Sequence, residues 1–221
     1  MAAAKEGIKQ KVRGWSHHDS ADLYGIDDWG NGYFRISKKG EVTVRLNDED
    51  GGKKDISLCD LLEGLNERGT TVPVLFRFRD LLRSRIAELN ESFRKAIKEA
   101  DYQGHYQGVY PIKVNQQRQV VEEIAEYGTK YDYGLEAGSK PELIAAMAHM
   151  HNPNAYLICN GYKDDEFIDL ALTAQKMGLN IFIVLEMPSE LDAIFARAKK
   201  MDIRPNLGLR VKLAAKGSGL W

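Results

Sequence analysis

The sequence predicts an α/β protein: the first part of a (β/α)8 TIM barrel, preceded by a β-rich N-terminal extension. Three observations predict it. Apolar, strand-like runs recur at GVYPIKV (108–114), YDYGLEA (131–137), AYLICN (155–160), NIFIVLE (180–186) and NLGLRVKL (206–213), with starts roughly 25 residues apart. Each gap is long enough for one amphipathic helix and two short loops. The residues before 76 follow another pattern, an alternation of apolar and polar positions about turns. Strand alternating with helix means parallel pairing through right-handed crossovers. A doubly wound dinucleotide fold competes with the barrel, but it usually carries G-x-G-x-x-G after its first strand, and here VNQQRQ follows. Five strands leave a barrel unfinished at Trp221, so the expected organisation is an extension over 1–75 and a truncated barrel over 76–221.

The elements follow in order. GYFRISKKGEVTVRLND (32–48) alternates around Lys38-Lys39-Gly40 and reads as a hairpin. DEDGGKKD (48–55) reads as a solvated turn, its acidic run too short for an interaction tail. Leu58 to Leu65 reads as a short helix. Leu82, Ile86, Leu89, Phe93 and Ile97 are spaced 4, 3, 4 and 4, one face of a long helix from about Arg79 to Ala100. Gly128 and Gly178 stand where a left-handed residue closes a helix. Ser139-Lys140-Pro141-Glu142 is a capping box, and Ser189-Glu190-Leu191-Asp192 is a similar start.

The totals exclude several functions. The 221 residues carry a net charge of −1, with 43% apolar and 29% charged residues, an ordinary soluble composition. No basic excess points to nucleic acid and no lysine-rich tract to a membrane surface. MAAAKEGIKQKVRG has no long apolar core, so it is neither a signal peptide nor an anchor. Cys59 and Cys159 lie in unrelated contexts and read as reduced cytosolic thiols. His17 and His18, His149 and His151, and the lone His105 lack metal-ligand spacing.

In barrels of this kind the chemistry gathers at the C-terminal ends of the strands. The first run ends at Lys113 and Asn115, the second at Glu136 with Gly138 and Ser139 behind it. The third ends at Asn160, followed by Gly161, Tyr162 and Lys163; the fourth ends at Glu186, and the fifth carries Arg210 and Lys212. That rim turns a lysine, carboxylates, an asparagine and an arginine toward one centre if the register holds, since a slip of one residue reverses a side chain. Lys113 sits between Ile112 and Val114, directly after Tyr110-Pro111. Removing an ammonium from water favours the neutral amine, and a neutral amine attacks an aldehyde, so this lysine suits a Schiff-base role. Lys163 reads as a solvated loop cation.

YPIKVNQ, GLEAGSKPEL, ICNGYKD and LGLRVKLAAKGSG, in that order, resemble segments of the biosynthetic arginine decarboxylases. These are fold-type III pyridoxal-phosphate enzymes with an alanine-racemase-like barrel. WGNGYFRI, GEVTVR and LFRFRDLLRSRIAELNESF resemble the same family, so the likeness runs from about Tyr24 to Trp221. It implies decarboxylation of L-arginine to agmatine and CO2, the first step of a route to putrescine and spermidine, by a cytoplasmic homo-oligomer, dimer or tetramer. It implies that Lys113 is the catalytic lysine, holding pyridoxal 5'-phosphate as an imine, and that Glu136, Arg210 and Asn160 border the cofactor. Glu142 matches a second acidic position on the substrate side, and equally reads as the capping-box glutamate. Magnesium often stimulates the family, though no oxygen-ligand cluster here identifies a site.

The IKVN lysine would serve related decarboxylases of diaminopimelate, ornithine or carboxynorspermidine equally well. A non-catalytic decarboxylase-like regulator is a further reading. The WGNGYFRI segment favours arginine, and the presence of Lys113 argues against a regulator. The chain is expected to be an N-terminal fragment. By the resemblance, later segments supply an imidazole that stacks on the cofactor, a glycine-rich phosphate loop and the acid that pairs with the ring nitrogen. They also supply the acid that recognises the substrate guanidinium and a cysteine donated across a dimer interface. Lys216-Gly217-Ser218-Gly219 looks like a phosphate cradle, but no helix start follows, and it reads as a mobile loop. Leu220 stands where the family usually has a lysine. With strand edges uncovered, the 221-residue polypeptide alone is expected to be poorly soluble and inactive.

Overall fold

The computed structural model describes residues 14–47, 52–211 and 214. The chain divides into two compact units, one up to Leu81 and one from Leu82 onward.

In the first unit, helix α1 (His17–Leu23) is capped by Ser16, whose hydroxyl accepts from the Asp19 N–H while the Asp19 carboxylate accepts from the Ser16 N–H. Helix α2 (Ile26–Trp29) follows. Strands β1 (Phe34–Ile36), β2 (Val42–Asn47) and β3 (Lys53–Ser57) form an antiparallel sheet in that order. The expected hairpin is β1–β2, with Phe34 opposite Val44 and Gly40 at a left-handed φ of 85°. The solvated turn expected over 48–55 is corrected at its end. Lys53–Asp55 belong to β3, where Asp55 takes both Nε and Nη2 of Arg45 at 2.7 and 2.8 Å. Asp48–Gly51 lie outside the described residues. Helix α3 (Leu58–Glu67) starts under a Ser57 cap.

Helix α4 (Arg79–Glu99) has the expected length, and its expected face is buried only in part, at Ile86 with Leu82 packed against the core. Leu89 and Phe93 are exposed, while Ile86 and Asn90 are buried. Asn90 is tolerated there because its Nδ2 donates to the Ile86 carbonyl at 2.8 Å.

Four β/α units and a fifth strand follow. They are β4 (Val109–Pro111), α5 (Arg118–Gly128), β5 (Gly134–Ala137), α6 (Lys140–His149), β6 (Tyr156–Cys159), α7 (Asp165–Lys176), β7 (Asn180–Leu185), α8 (Ser189–Met201) and β8 (Leu207–Leu209). All strand pairs are parallel, in the order β4-β5-β6-β7-β8. Each expected strand is present, shorter than its apolar run. Alternate residues Leu135, Ala137, Leu157, Cys159, Ile181 and Ile183 are fully buried and pack with Leu143, Ile168, Leu172 and Ile194 of the helices. Burying each large apolar side chain contributes about 1.5–3 kcal/mol. The residues between them, Glu136, Ile158 and Val184, therefore face the other side of the sheet.

Three local expectations are corrected. The strand reading of 108–114 stops at Pro111, which has no N–H to continue the ladder, and Ile112–Val114 turn into a 3₁₀ helix. Gly128 keeps a right-handed φ of −66°; a side chain there would meet Tyr133 Cβ at 2.8 Å, so the glycine makes room, and Asp132 takes the left-handed turn. Gly178 is left-handed as expected. Helix α8 has Pro188, not Ser189, at its N-cap, and the Glu190 carboxylate takes up the Glu186 and Met187 N–H groups instead.

Candidate active site

Along the face of the parallel sheet that carries Glu136, Ile158 and Val184, and reaching the C-terminal ends of its strands, lies a cleft of about 620 Å³, lined by Val109, Pro111, Lys113, Glu136, Ile158, Asn160, Val184, Leu209, Arg210 and Val211. Four of the five sequence-derived site residues, Lys113, Glu136, Asn160 and Arg210, converge on it. Strand alternation turns Glu136 to this side, and Lys113, Asn160 and Arg210 follow directly after β4, β6 and β8 in the parallel sheet.

Lys113 lies in the turn after β4. It is exposed rather than packed between apolar neighbours: Ile112 is buried, but Val114 is 70% exposed. The desolvation expected from flanking residues is thus not built by Ile112 and Val114.

Glu136, on β5, is only 7% exposed. Its Oε1 accepts from Asn160 Nδ2 at 3.0 Å. Asn160 is held in turn by its own N–H, which donates to the Ala137 carbonyl at 2.9 Å. The Glu136 Oε2 atom is buried with no hydrogen-bond partner among the described residues.

Arg210 follows β8 and is 64% exposed, tethered by Nη1 to Oε1 and Oε2 of Glu186 at 3.0 and 3.2 Å. Glu186 Oε1 also accepts from the Gly161 N–H at 2.9 Å. Burial pushes the Glu186 carboxyl up, but the Gly161 N–H and the Arg210 guanidinium outweigh it and hold the group below the usual carboxylate range. Gly161 is at φ 77°, and a Cβ there would stand 2.4 Å from the Gly138 carbonyl oxygen. Glu142 stands apart from the cleft. Its Oε2 accepts from the Gly138 N–H at 2.7 Å and its Oε1 from Gln116 Nε2 at 3.4 Å, while Ser139 caps its helix.

Lys163 is a correction: it is not solvated, and its side chain is 0% exposed. Its Nζ donates to the carbonyls of Gly161, at 2.6 Å, and of Val184, and lies 3.8 Å from Glu190 Oε2. A position four residues after a strand looks like loop in sequence; the more distant groups that draw this cation inward come from β7 and α8. Cys159 faces the helices, and burial pushes its thiol up to about 12. Lys212 and Lys216–Gly219 lie outside the described residues. Among the described residues no His, Cys, Asp and Glu group is arranged to hold a metal ion, and no helix is long and apolar enough to cross a membrane.

Residues 84–219 match the family described as "Pyridoxal-dependent decarboxylase, pyridoxal binding domain". The chain belongs to this family. Among pyridoxal-dependent decarboxylases, it is 50% identical over 210 residues to the biosynthetic arginine decarboxylase of Gloeobacter violaceus, covering 95% of this chain and 32% of that one. It is 47% identical over 207 residues to the protein of that name from Rhodopirellula baltica, covering 94% and 30%. The crystal structure of the biosynthetic arginine decarboxylase SpeA from Campylobacter jejuni superposes with a TM-score of 0.78 at 38% identity, over 86% of this chain and 32% of that chain. A diaminopimelate decarboxylase structure from M. jannaschi matches with a TM-score of 0.56 at 21% identity, over 83% and 36%, a likeness of fold. The chain spans about a third of the length of these relatives.

The cleft fits the cofactor of a pyridoxal-dependent decarboxylase. Its size is within the ligand-pocket range of roughly 300–1,000 Å³. It offers an amine for an aldehyde, a guanidinium for anionic oxygens and, in Glu136 Oε2, a buried acceptor with capacity to spare.

Proposed function

We propose that the whole protein decarboxylates L-arginine to agmatine and CO2, in the cytoplasm, as a homo-oligomer feeding polyamine synthesis. Residues 76–221 are read as the first part of its catalytic barrel and 1–75 as an extension. The observation that carries the reading is the convergence of Lys113, Glu136, Asn160 and Arg210 on one cleft at the strand ends. The printed names of the relatives supply the substrate.

Bound pyridoxal phosphate supplies an electron sink for the bonding pair left at Cα when the substrate carboxylate departs as CO2. Lys113 would hold the cofactor through its Nζ, and its amine would be placed to return a proton to Cα of the substrate. Glu136, oriented by Asn160, would offer a carboxylate oxygen to the cationic form of the bound cofactor. Arg210, tethered by Glu186, places a cation beside it. Ile158 and Val184 exclude water from that face. Glu142 serves in this reading in the first turn of α6, its N–H bonded to the Ser139 cap and its carboxylate accepting from the Gly138 N–H. Magnesium enters as an ion to be tested by chelation, with no ligands assigned.

The test is CO2 release by the full-length protein from L-arginine, L-ornithine, meso-diaminopimelate and carboxynorspermidine. L-Arginine is expected to be favoured by at least about 10²-fold in kcat/KM, a discrimination that buried polar recognition supplies readily. A preference for another of the four reassigns the substrate. No release from any, by protein loaded with cofactor, favours the regulator.

A further inference from the structure

The Lys163 side chain is fully buried and is not among the residues that line the cleft. Its Nζ donates to two carbonyls, that of Gly161 at 2.6 Å and that of Val184, and lies 3.8 Å from Glu190 Oε2, an ion-pair contact. Glu190, also buried, binds the same loop and the end of β7. Its Oε1 accepts from the Lys163 N–H at 3.0 Å and its Oε2 from the Glu186 N–H at 2.8 Å. Glu186 then spans from the Gly161 N–H to the Arg210 guanidinium. A continuous set of charge-assisted contacts thus runs from Lys163 to the one cation that β8 presents to the cleft among the described residues. Replacing a buried ion pair by apolar residues often leaves stability unchanged or higher, so stability alone gives no reason for this one. Position does: Arg210 is exposed and long, and Glu186 is what fixes its guanidinium.

We propose that Lys163 is a positioning residue for the cofactor cleft. Through Glu190 and the Gly161–Lys163 loop it fixes Glu186, and through Glu186 it aims Arg210 at the anionic ligand. The proposal rests on the pyridoxal phosphate reading for the identity of that ligand.

The test uses full-length protein with Lys163→Met, Arg210→Ala and both together, and Glu190→Gln in case the methionine variant does not fold. In the first arm, without cofactor, phenylglyoxal labelling of Arg210 is followed by peptide mass. Lys163→Met or Glu190→Gln is expected to speed it about fivefold or more, as a freed guanidinium reacts faster. In the second arm, pyridoxal phosphate Kd is read from the absorbance of the bound cofactor. Lys163→Met is expected to weaken it about tenfold, and to have no further effect once Arg210 is alanine. Unchanged labelling, or an affinity loss of equal size in the Arg210→Ala background, overturns the proposal. Wild-type protein that binds no pyridoxal phosphate overturns the cofactor reading instead, and the labelling arm still decides whether Lys163 governs Arg210.

Discussion

Asn160 Nδ2 donates to Oε1 of Glu136 at 3.0 Å, joining the ends of two neighbouring parallel strands. The hydrogen bond fixes the carboxylate and leaves its other oxygen buried without a partner among the described residues. A buried, unmatched polar atom costs about 1–3 kcal/mol, a cost that proteins accept at working sites. Glu136→Gln in the full-length protein should therefore leave the thermal midpoint unchanged or higher. It should lower cofactor affinity or turnover by about 10²-fold, the scale of losing one preorganised electrostatic contact. A lower midpoint with unchanged kinetics would make Glu136 a structural residue.

Gly161 is where the loops after β5 and β6 touch. Alanine there would clash with the Gly138 carbonyl and would hold a side chain at φ 77°. Gly161→Ala is expected to cost about 1–3 kcal/mol, seen as a drop of a few degrees in the apparent midpoint. Because the Gly161 N–H also holds Glu186, cofactor affinity should fall with it. A midpoint at or above wild type would mean that the two loops part freely.

The Glu186 carboxyl titrates lower in the folded protein than its ordinary value of 4.5. Its contribution to stability is then fully present above that value and is lost as pH falls through the lower, folded one. The stability gap between wild type and Glu186→Gln should accordingly be widest above pH 4.5 and shrink on further acidification. Unfolding followed by circular dichroism across that window checks the sign. A gap that widens in acid would contradict the Gly161 and Arg210 contacts.

The barrel was legible because its signals are local. The apolar runs and the Ser139–Glu142 box mark the units regardless of what packs on them. Glu136 and Asn160 were legible for the same reason, since strand alternation decides which way they face. Lys163 was not, because burial of a loop lysine depends on Val184 and Glu190, distant in sequence. Lys113 was placed in the cleft, but its expected apolar flanks failed at Val114, where Pro111 had already ended the strand. The edge strand β3 was hidden by its three consecutive charges, Lys53–Asp55, of which Asp55 pairs with Arg45.

Lys113 is the residue on which the proposed chemistry turns, and it is also the simplest to test. Lys113→Ala, at an exposed turn, should shift stability by no more than about 0.5 kcal/mol. The most direct measurement is borohydride reduction of the full-length, cofactor-loaded protein, followed by proteolysis and mass mapping of the pyridoxyl group. The label is expected on Lys113 and should disappear in Lys113→Ala. A label on Lys163 or any other lysine, or none on a protein that binds pyridoxal phosphate, would contradict the proposed chemistry.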